Sequence, residues 1–161
     1  MIVEMIVTLA FLAIPFSIGY QTGRKNLIYK ENEGEKKVRI TLQSIEEHGY
    51  HLKNNITIPT TNGSTQIDHI LFSRKGIFII ETKDYKGWIY GNEKQHKWTQ
   101  TFKNSQKKYK FLNPLLQNNG HIYHLSNVVG ISKEWIISIV VFTNSEVEIK
   151  TNLPNKRCKT K

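Results

Sequence analysis

Residues 66–91 read QIDHILFSRKGIFIIETKDYKGWIYG and contain two apolar runs separated by a short polar loop. The runs at 66–72 and 77–83 predict neighbouring strands, and residues 73–76 predict the turn of a hairpin. Asp68, one of only two aspartates in the chain, lies inside the first strand. An ionised carboxylate is costly there unless it is paired or binds a metal. The sequence therefore predicts that a functional site lies on this hairpin.

The register of this hairpin determines which side chains face each other. With Phe72 opposite Ile77, each step back along one strand matches a step forward along the other, and Asp68 lies opposite Glu81. Lys83 shares the face of Glu81, because residues two apart on a strand point the same way. Opposed carboxylates repel each other unless a cation bridges them or one is protonated. Hard oxygen ligands suit Mg²⁺, so the pattern predicts metal-assisted hydrolysis of a phosphodiester.

A helix is predicted before the hairpin, and it brings a further carboxylate. Val38, Leu42 and Ile45 recur at helical spacing after Asn32, a good N-cap. Glu35 precedes Val38 by three residues and shares its face. Two interpretations stay open: Glu35 belongs to the site, or it is the partner of Asn32 in a capping box. Two interpretations also stay open for Glu81 and Lys83: they belong to the site, or they form an ordinary ion pair.

The other elements predict an α/β fold with a mixed sheet flanked by helices. Strands are predicted at 52–58, 88–90 and 136–142, the last buried on both faces. A further helix is predicted at 113–129. It begins at an Asn-Pro pair, with proline at the first helical position. The residues from 144 onward predict a mobile basic tail.

The composition favours a polyanionic partner. The 161 residues include 23 Lys and Arg against 13 Asp and Glu, a formal net charge of +10. The hydrophobic fraction of 39% suffices for one packed domain with a short appendage. Cys158 is the only cysteine, which excludes an internal disulfide and a cysteine-based zinc site.

Lysines alternate with aromatic residues between positions 83 and 111. Such a surface can hold phosphates and stack bases, and the alternative is a solvated lysine face over core aromatics. The residues predicted to bind nucleic acid are Lys86, Lys94, Lys97, Trp98, Lys103, Lys107 and Lys108.

Residues 1–20 form a nearly continuous apolar run. Twenty helical residues span about 30 Å, the thickness of a bilayer core, so the run predicts a transmembrane helix, with a buried helix as the alternative. Positive charges follow the run and do not precede it, which predicts a domain facing the cytoplasm at the cell membrane. The predicted division is an anchor (1–21), a linker (22–32), a domain (33–143) and a basic tail (144–161).

Four runs in this order resemble the nuclease-related domain (NERD) family of the PD-(D/E)XK superfamily. They are GEKKVRITLQSI (34–45), the stretch 66–91, KWTQ (97–100) and NPLLQN (113–118). The resemblance implies a restriction-endonuclease-like fold and Mg²⁺-dependent nuclease activity, with Mn²⁺ as a substitute ion. One departure is Ile67, where the superfamily commonly has proline before the first aspartate.

The resemblance also implies roles for individual residues. Asp68, Glu81 and Lys83 match the D…ExK triplet, and Glu35 matches the acid of the first helix. Gln117 follows Asn113 and Pro114 in an NPxxQ element. The expected catalytic residues are Glu35, Asp68, Glu81, Lys83 and Gln117, and the expected metal ligands are Asp68, Glu81 and Glu35.

Three functions are compatible with these observations. The first is a membrane-anchored nuclease, with DNA favoured over RNA as its partner. The main alternative is a non-catalytic module that holds nucleic acid at the membrane. The third is a membrane-associated interaction protein whose carboxylates are a structural remnant. The sequence does not indicate an oligomeric state.

Overall fold

A computed structural model describes residues 30–150 and 158–160 of the chain. The helices are α1 (Glu33–Gln43) and α2 (Pro114–Val129), with single 3₁₀ turns at Glu46–His48 and Lys133–Trp135. The strands are β1 (His51–Thr60), β2 (Gly63–Ser73), β3 (Gly76–Lys83), β4 (Gly87–Tyr90), β5 (Lys97–Thr101), β6 (Lys108–Leu112), β7 (Ile136–Phe142), β8 (Val147–Ile149) and β9 (Cys158–Thr160).

The predicted membrane anchor lies outside the described residues. Within the described ranges, neither helix is both long enough and apolar enough to span a bilayer.

The strands form two mixed sheets, where the sequence predicted a single one. The first has the order β1-β2-β3-β7-β9 and the second the order β6-β5-β4-β8. β3 and β7 are parallel, and the connection between them contains β4, β5, β6 and α2. β8 pairs with β4, so residues 147–149 form a strand where a mobile tail was predicted.

The hairpin of β2 and β3 has the predicted register. Phe72 pairs with Ile77, and Arg74 and Lys75 form the two-residue turn between the strands. This register follows from the period of two along each strand, because a slip by one residue would turn every buried side chain to the opposite face.

Two helices cover the two faces of the first sheet. Leu125 of α2 packs in one cluster with Ile79, and Val38 of α1 packs in another with Ile80. Ile79 and Ile80 are neighbours on β3 and point to opposite faces, as the alternation of a strand requires. β3 is therefore buried on both sides, and its end lies between α1 and α2.

The regular pairing of β1 with β2 is interrupted at Asp68. The ladder skips Asn55 and Asp68, which lie opposite each other, and Asn55 adopts a left-handed φ of 56°. Asparagine tolerates this conformation better than most residues. Ile67 and Ile70 belong to one cluster although they are three residues apart, so the strand changes phase between them. This interruption frees Asp68 from the ladder.

Candidate functional site

A cleft of about 530 Å³ opens where β3 ends. The first turn of α1, the middle of β2 and the first turn of α2 provide its other walls. All five residues predicted as catalytic line this cleft, namely Glu35, Asp68, Glu81, Lys83 and Gln117. The structure therefore brings together side chains from four separate elements.

Glu81 and Lys83 form an ion pair at the back of the cleft. Lys83 Nζ donates to Glu81 Oε1 at 2.6 Å and to Gln117 Oε1 at 3.2 Å. Glu81 is only 2% exposed. Burial raises the pKa of Glu81, but the proximity of His121 and Lys83 outweighs it and holds the pKa below its usual range. Glu81 is therefore an ionised carboxylate whose position is set by its neighbours.

Asp68 lies beside this ion pair, and its hydrogen-bond partner is a backbone amide. Asp68 Oδ2 accepts a hydrogen bond from the Thr82 amide at 2.9 Å. Burial and the charge of Glu81 raise the pKa of Asp68 to about 7. The cleft thus holds more carboxyl groups than Lys83 alone could neutralise if all of them were ionised.

Glu35 enters the cleft from the first turn of α1. Asn32 caps this helix, its Oδ1 accepting from the Glu35 amide at 3.0 Å and its Nδ2 donating to Glu35 Oε1. The other carboxylate oxygen, Oε2, is buried without a hydrogen-bond partner among the described residues. Burial raises the pKa of Glu35, and the charge of Glu81 adds to this effect. Glu35 therefore contacts its cap residue and also lines the cleft, and its role in the site stays a prediction.

The donors of the cleft fit a hard divalent cation. Within residues 30–150, no three His, Cys, Asp or Glu side chains already form a ligand set. The unpartnered oxygen of Glu35 and the raised pKa of Asp68 nevertheless indicate an excess of carboxylate charge, which a cation would relieve. The predicted set of Asp68, Glu81 and Glu35 stays a prediction.

His121 is buried behind Glu81, and the sequence analysis did not assign it to the site. Its Nε2 lies 3.3 Å from Glu81 Oε2, and its Nδ1 lies 3.2 Å from Thr65 Oγ1. His121 follows Gln117 by four residues, which puts both side chains on one face of α2. The spacing of four residues between Gln117 and His121 was the feature of the sequence that could have identified His121.

Trp98 was predicted to contact nucleic acid, and the structure corrects this. The side chain is 0% exposed, and its Nε1 donates to the carbonyl oxygen of Asn92 at 3.0 Å. Its ring lies directly over Gly91, where any Cβ would overlap it. A base cannot reach a ring packed in this way. The predicted lysines are all exposed, and their role stays a prediction: Lys86, Lys94, Lys97, Lys103, Lys107 and Lys108.

Gly34 allows α1 to approach the end of β3. A Cβ there would lie 2.7 Å from Asp84 Cβ and 2.6 Å from Thr143 Oγ1. We expect Gly34→Ala to displace Glu35 from the cleft and to lower about tenfold or more the rate of the cleavage that the nuclease resemblance predicts, since small misplacements of catalytic groups are costly. Overpacking should also destabilise the fold by about 1–3 kcal/mol. Gly120→Ala in α2 is the matched control, because no atom lies within 4 Å of its Cβ. Equal cleavage rates for the two variants would contradict this role of Gly34.

Residues 30–143 match the NERD (nuclease-related domain) family, and the chain belongs to it. An uncharacterized protein from Bacillus anthracis is 41% identical over 110 residues, which cover 68% of this chain and 47% of that protein. The chain therefore spans about half the length of this curated relative.

Two solved structures are similar to the chain at low identity. AF1548, a protein of unknown function, is 15% identical, with a TM-score of 0.43 over 77% of this chain and 61% of the other. Can2 from Sulfobacillus thermosulfidooxidans, solved with cyclic tetra-adenylate, is 16% identical, with a TM-score of 0.41 over 91% of this chain and 47% of the other.

Proposed function

We propose that this chain is a Mg²⁺-dependent nuclease with a restriction-endonuclease-like site. One observation carries the proposal: Asp68, Glu81 and Lys83 converge in a single cleft, with Glu35 and Gln117 beside them. Membership of the nuclease-related domain family supports the same conclusion. The formal net charge of +10 suits a polyanionic substrate, and DNA is the substrate we favour.

Each residue has a role that follows from its contacts. Asp68, Glu81 and Glu35 would hold the cation, which supplies charge stabilisation and an activated water when it is bound. The Lys83 ammonium group stands beside both carboxylates of the triplet and donates a hydrogen bond to the attacking water or to a phosphate oxygen. Gln117 accepts from Lys83 and fixes its direction. His121 contacts the second oxygen of Glu81 and limits its rotation.

We also propose that residues 1–21 anchor the protein in a membrane, with the domain on the cytoplasmic side. The apolar length of this segment and the positive charges that follow it support this location. Protease protection of the full chain in membrane vesicles tests it, because a cytoplasmic domain is digested only when that side is accessible.

Cleavage by the full chain tests the nuclease proposal directly. Supercoiled plasmid and structured RNA are incubated with the protein in Mg²⁺, in Mn²⁺ and in EDTA. We expect cleavage in either metal, none in EDTA, and a preference for DNA. A folded protein that binds nucleic acid in Mg²⁺ without cleaving it would overturn the proposal and support the binding module instead. That alternative is favoured by the Lys83 ammonium group, which already neutralises Glu81.

A further inference from the structure

The second sheet has one buried face and one exposed face. Ile89 of β4 and Trp98 of β5 are 0% exposed and form its apolar side with Phe111 of β6. On the opposite side, Tyr90 pairs with Thr99, and Thr99 pairs with Lys110. These three residues form a row across β4, β5 and β6. Because side chains alternate along each strand, the row points away from the apolar side.

This exposed face is strongly basic. Among the residues of this sheet that the structure describes, the lysines on the face are Lys97, Lys108, Lys110 and Lys150, and the one acidic residue is Glu148, which pairs with Lys150. Within residues 30–150, Lys97, Lys108 and Lys110 form no ion pair. Their charges are therefore available to an anionic ligand that lies along the strands.

A pocket of about 510 Å³ lies on the same face. It is lined by Tyr90, Lys97, Thr99, Lys110 and Lys150 together with the loop that follows β4. Tyr90 is 40% exposed, so its ring is accessible at the surface. The volume falls within the range of about 300–1,000 Å³ that is typical of sites for small molecules and nucleotides. Hydroxyl, ammonium and aromatic groups thus meet in one concave site separate from the cleft.

We propose that this face binds single-stranded nucleic acid, with one base on Tyr90 and backbone phosphates on Lys97 and Lys110. Exposed aromatic rings bind unpaired bases by stacking, whereas a duplex keeps the faces of its bases covered. The inference rests on the proposed function for the class of ligand, and it adds strandedness and a second binding surface.

Binding in EDTA tests this proposal independently of cleavage. The full chain is titrated into a fluorescein-labelled single-stranded dT 20-mer, and the anisotropy gives Kd as a function of salt. Tyr90→Ala should weaken binding about 5- to 150-fold, the range that corresponds to the loss of one stacked base. Lys97→Ala with Lys110→Ala should weaken binding and reduce the salt slope of log K by roughly 1.4, or about 0.7 for each phosphate contact.

Two control variants distinguish stacking on the Tyr90 ring from general attraction to a basic protein. Tyr90→Phe keeps the ring and should bind like the wild type, as should Lys37→Ala on α1. Three results would each overturn the proposal: unchanged binding by Tyr90→Ala, tighter binding of a 20-base-pair duplex than of the single strand, or a dimer in sedimentation velocity that Tyr90→Ala dissociates. If the protein binds the single strand but does not cleave nucleic acid, the proposed binding surface stands and only the nuclease proposal is refuted.

Discussion

Asp68→Asn is expected to lower kcat/KM for DNA cleavage by roughly 10²–10³-fold and to stabilise the metal-free protein. The loss of activity is typical of removing one preorganised electrostatic group. The gain in stability arises because burial and the charge of Glu81 raise the pKa of Asp68 to about 7. The ionised form of Asp68 is therefore unfavourable in the folded protein. Asparagine keeps the acceptor for the Thr82 amide without the charge. Plasmid cleavage and thermal unfolding in EDTA measure the two effects.

The pH dependence of this stability gain has a definite sign. In the folded protein Asp68 keeps its proton up to about pH 7, whereas the unfolded chain releases it near the ordinary value of 3.8. The stabilisation from this proton is complete below pH 3.8 and is lost as the pH rises through 7. The free-energy advantage of Asp68→Asn should therefore grow over this window, by at most about 1.4 kcal/mol per pH unit.

Glu134→Gln is the control for Asp68→Asn, because Glu134 is exposed in a 3₁₀ turn away from the cleft. It should leave both cleavage and the stability profile unchanged. Full activity in Asp68→Asn would refute the assigned site.

Lys83→Met should lower kcat by about 10²–10⁴-fold with a smaller change in KM, as expected for a group that assists proton transfer or charge stabilisation. Methionine has a similar length but leaves Glu81 Oε1 and Gln117 Oε1 without their shared donor. The pKa of Glu81 should rise because an opposing cation is removed from a buried carboxylate. The acid limb of the pH profile of kcat should therefore move to higher pH.

Lys75→Met provides the matched comparison for Lys83. Lys75 is exposed in the turn at the opposite end of β3, so its variant should cleave at the wild-type rate. Equal losses in the two variants would show that the effect comes from overall charge and not from the position of Lys83.

The centre of the site could be predicted because it depends on local rules. A short turn and the alternation of two strands fix the register, and this register puts Asp68 near Glu81. The capping pattern likewise placed Glu35 on the first turn of α1. Both inferences use residues that are close in sequence.

Other features depend on contacts between distant residues. The position of His121 depends on how α2 is rotated, and Asn118 sets this by donating to the carbonyl oxygens of Ile79 and Ile139. Trp98 was misassigned for the same reason. The aromatic residues of β4, β5 and β6 look alike in sequence, and the three-dimensional contacts of Trp98, among them the close approach of Gly91, show that it is buried.

The parallel pairing of β3 with β7 has a consequence for how the chain folds. Ile77 pairs with Ile136, so the first sheet closes only after the 58 intervening residues are in place. Contacts this distant slow folding, because the entropy of loop closure is lost before the contacts form. During synthesis β3 has no partner on that side until β7 emerges, and its apolar edge is open to other chains. Fragments that end before Ile136 should therefore aggregate rather than fold.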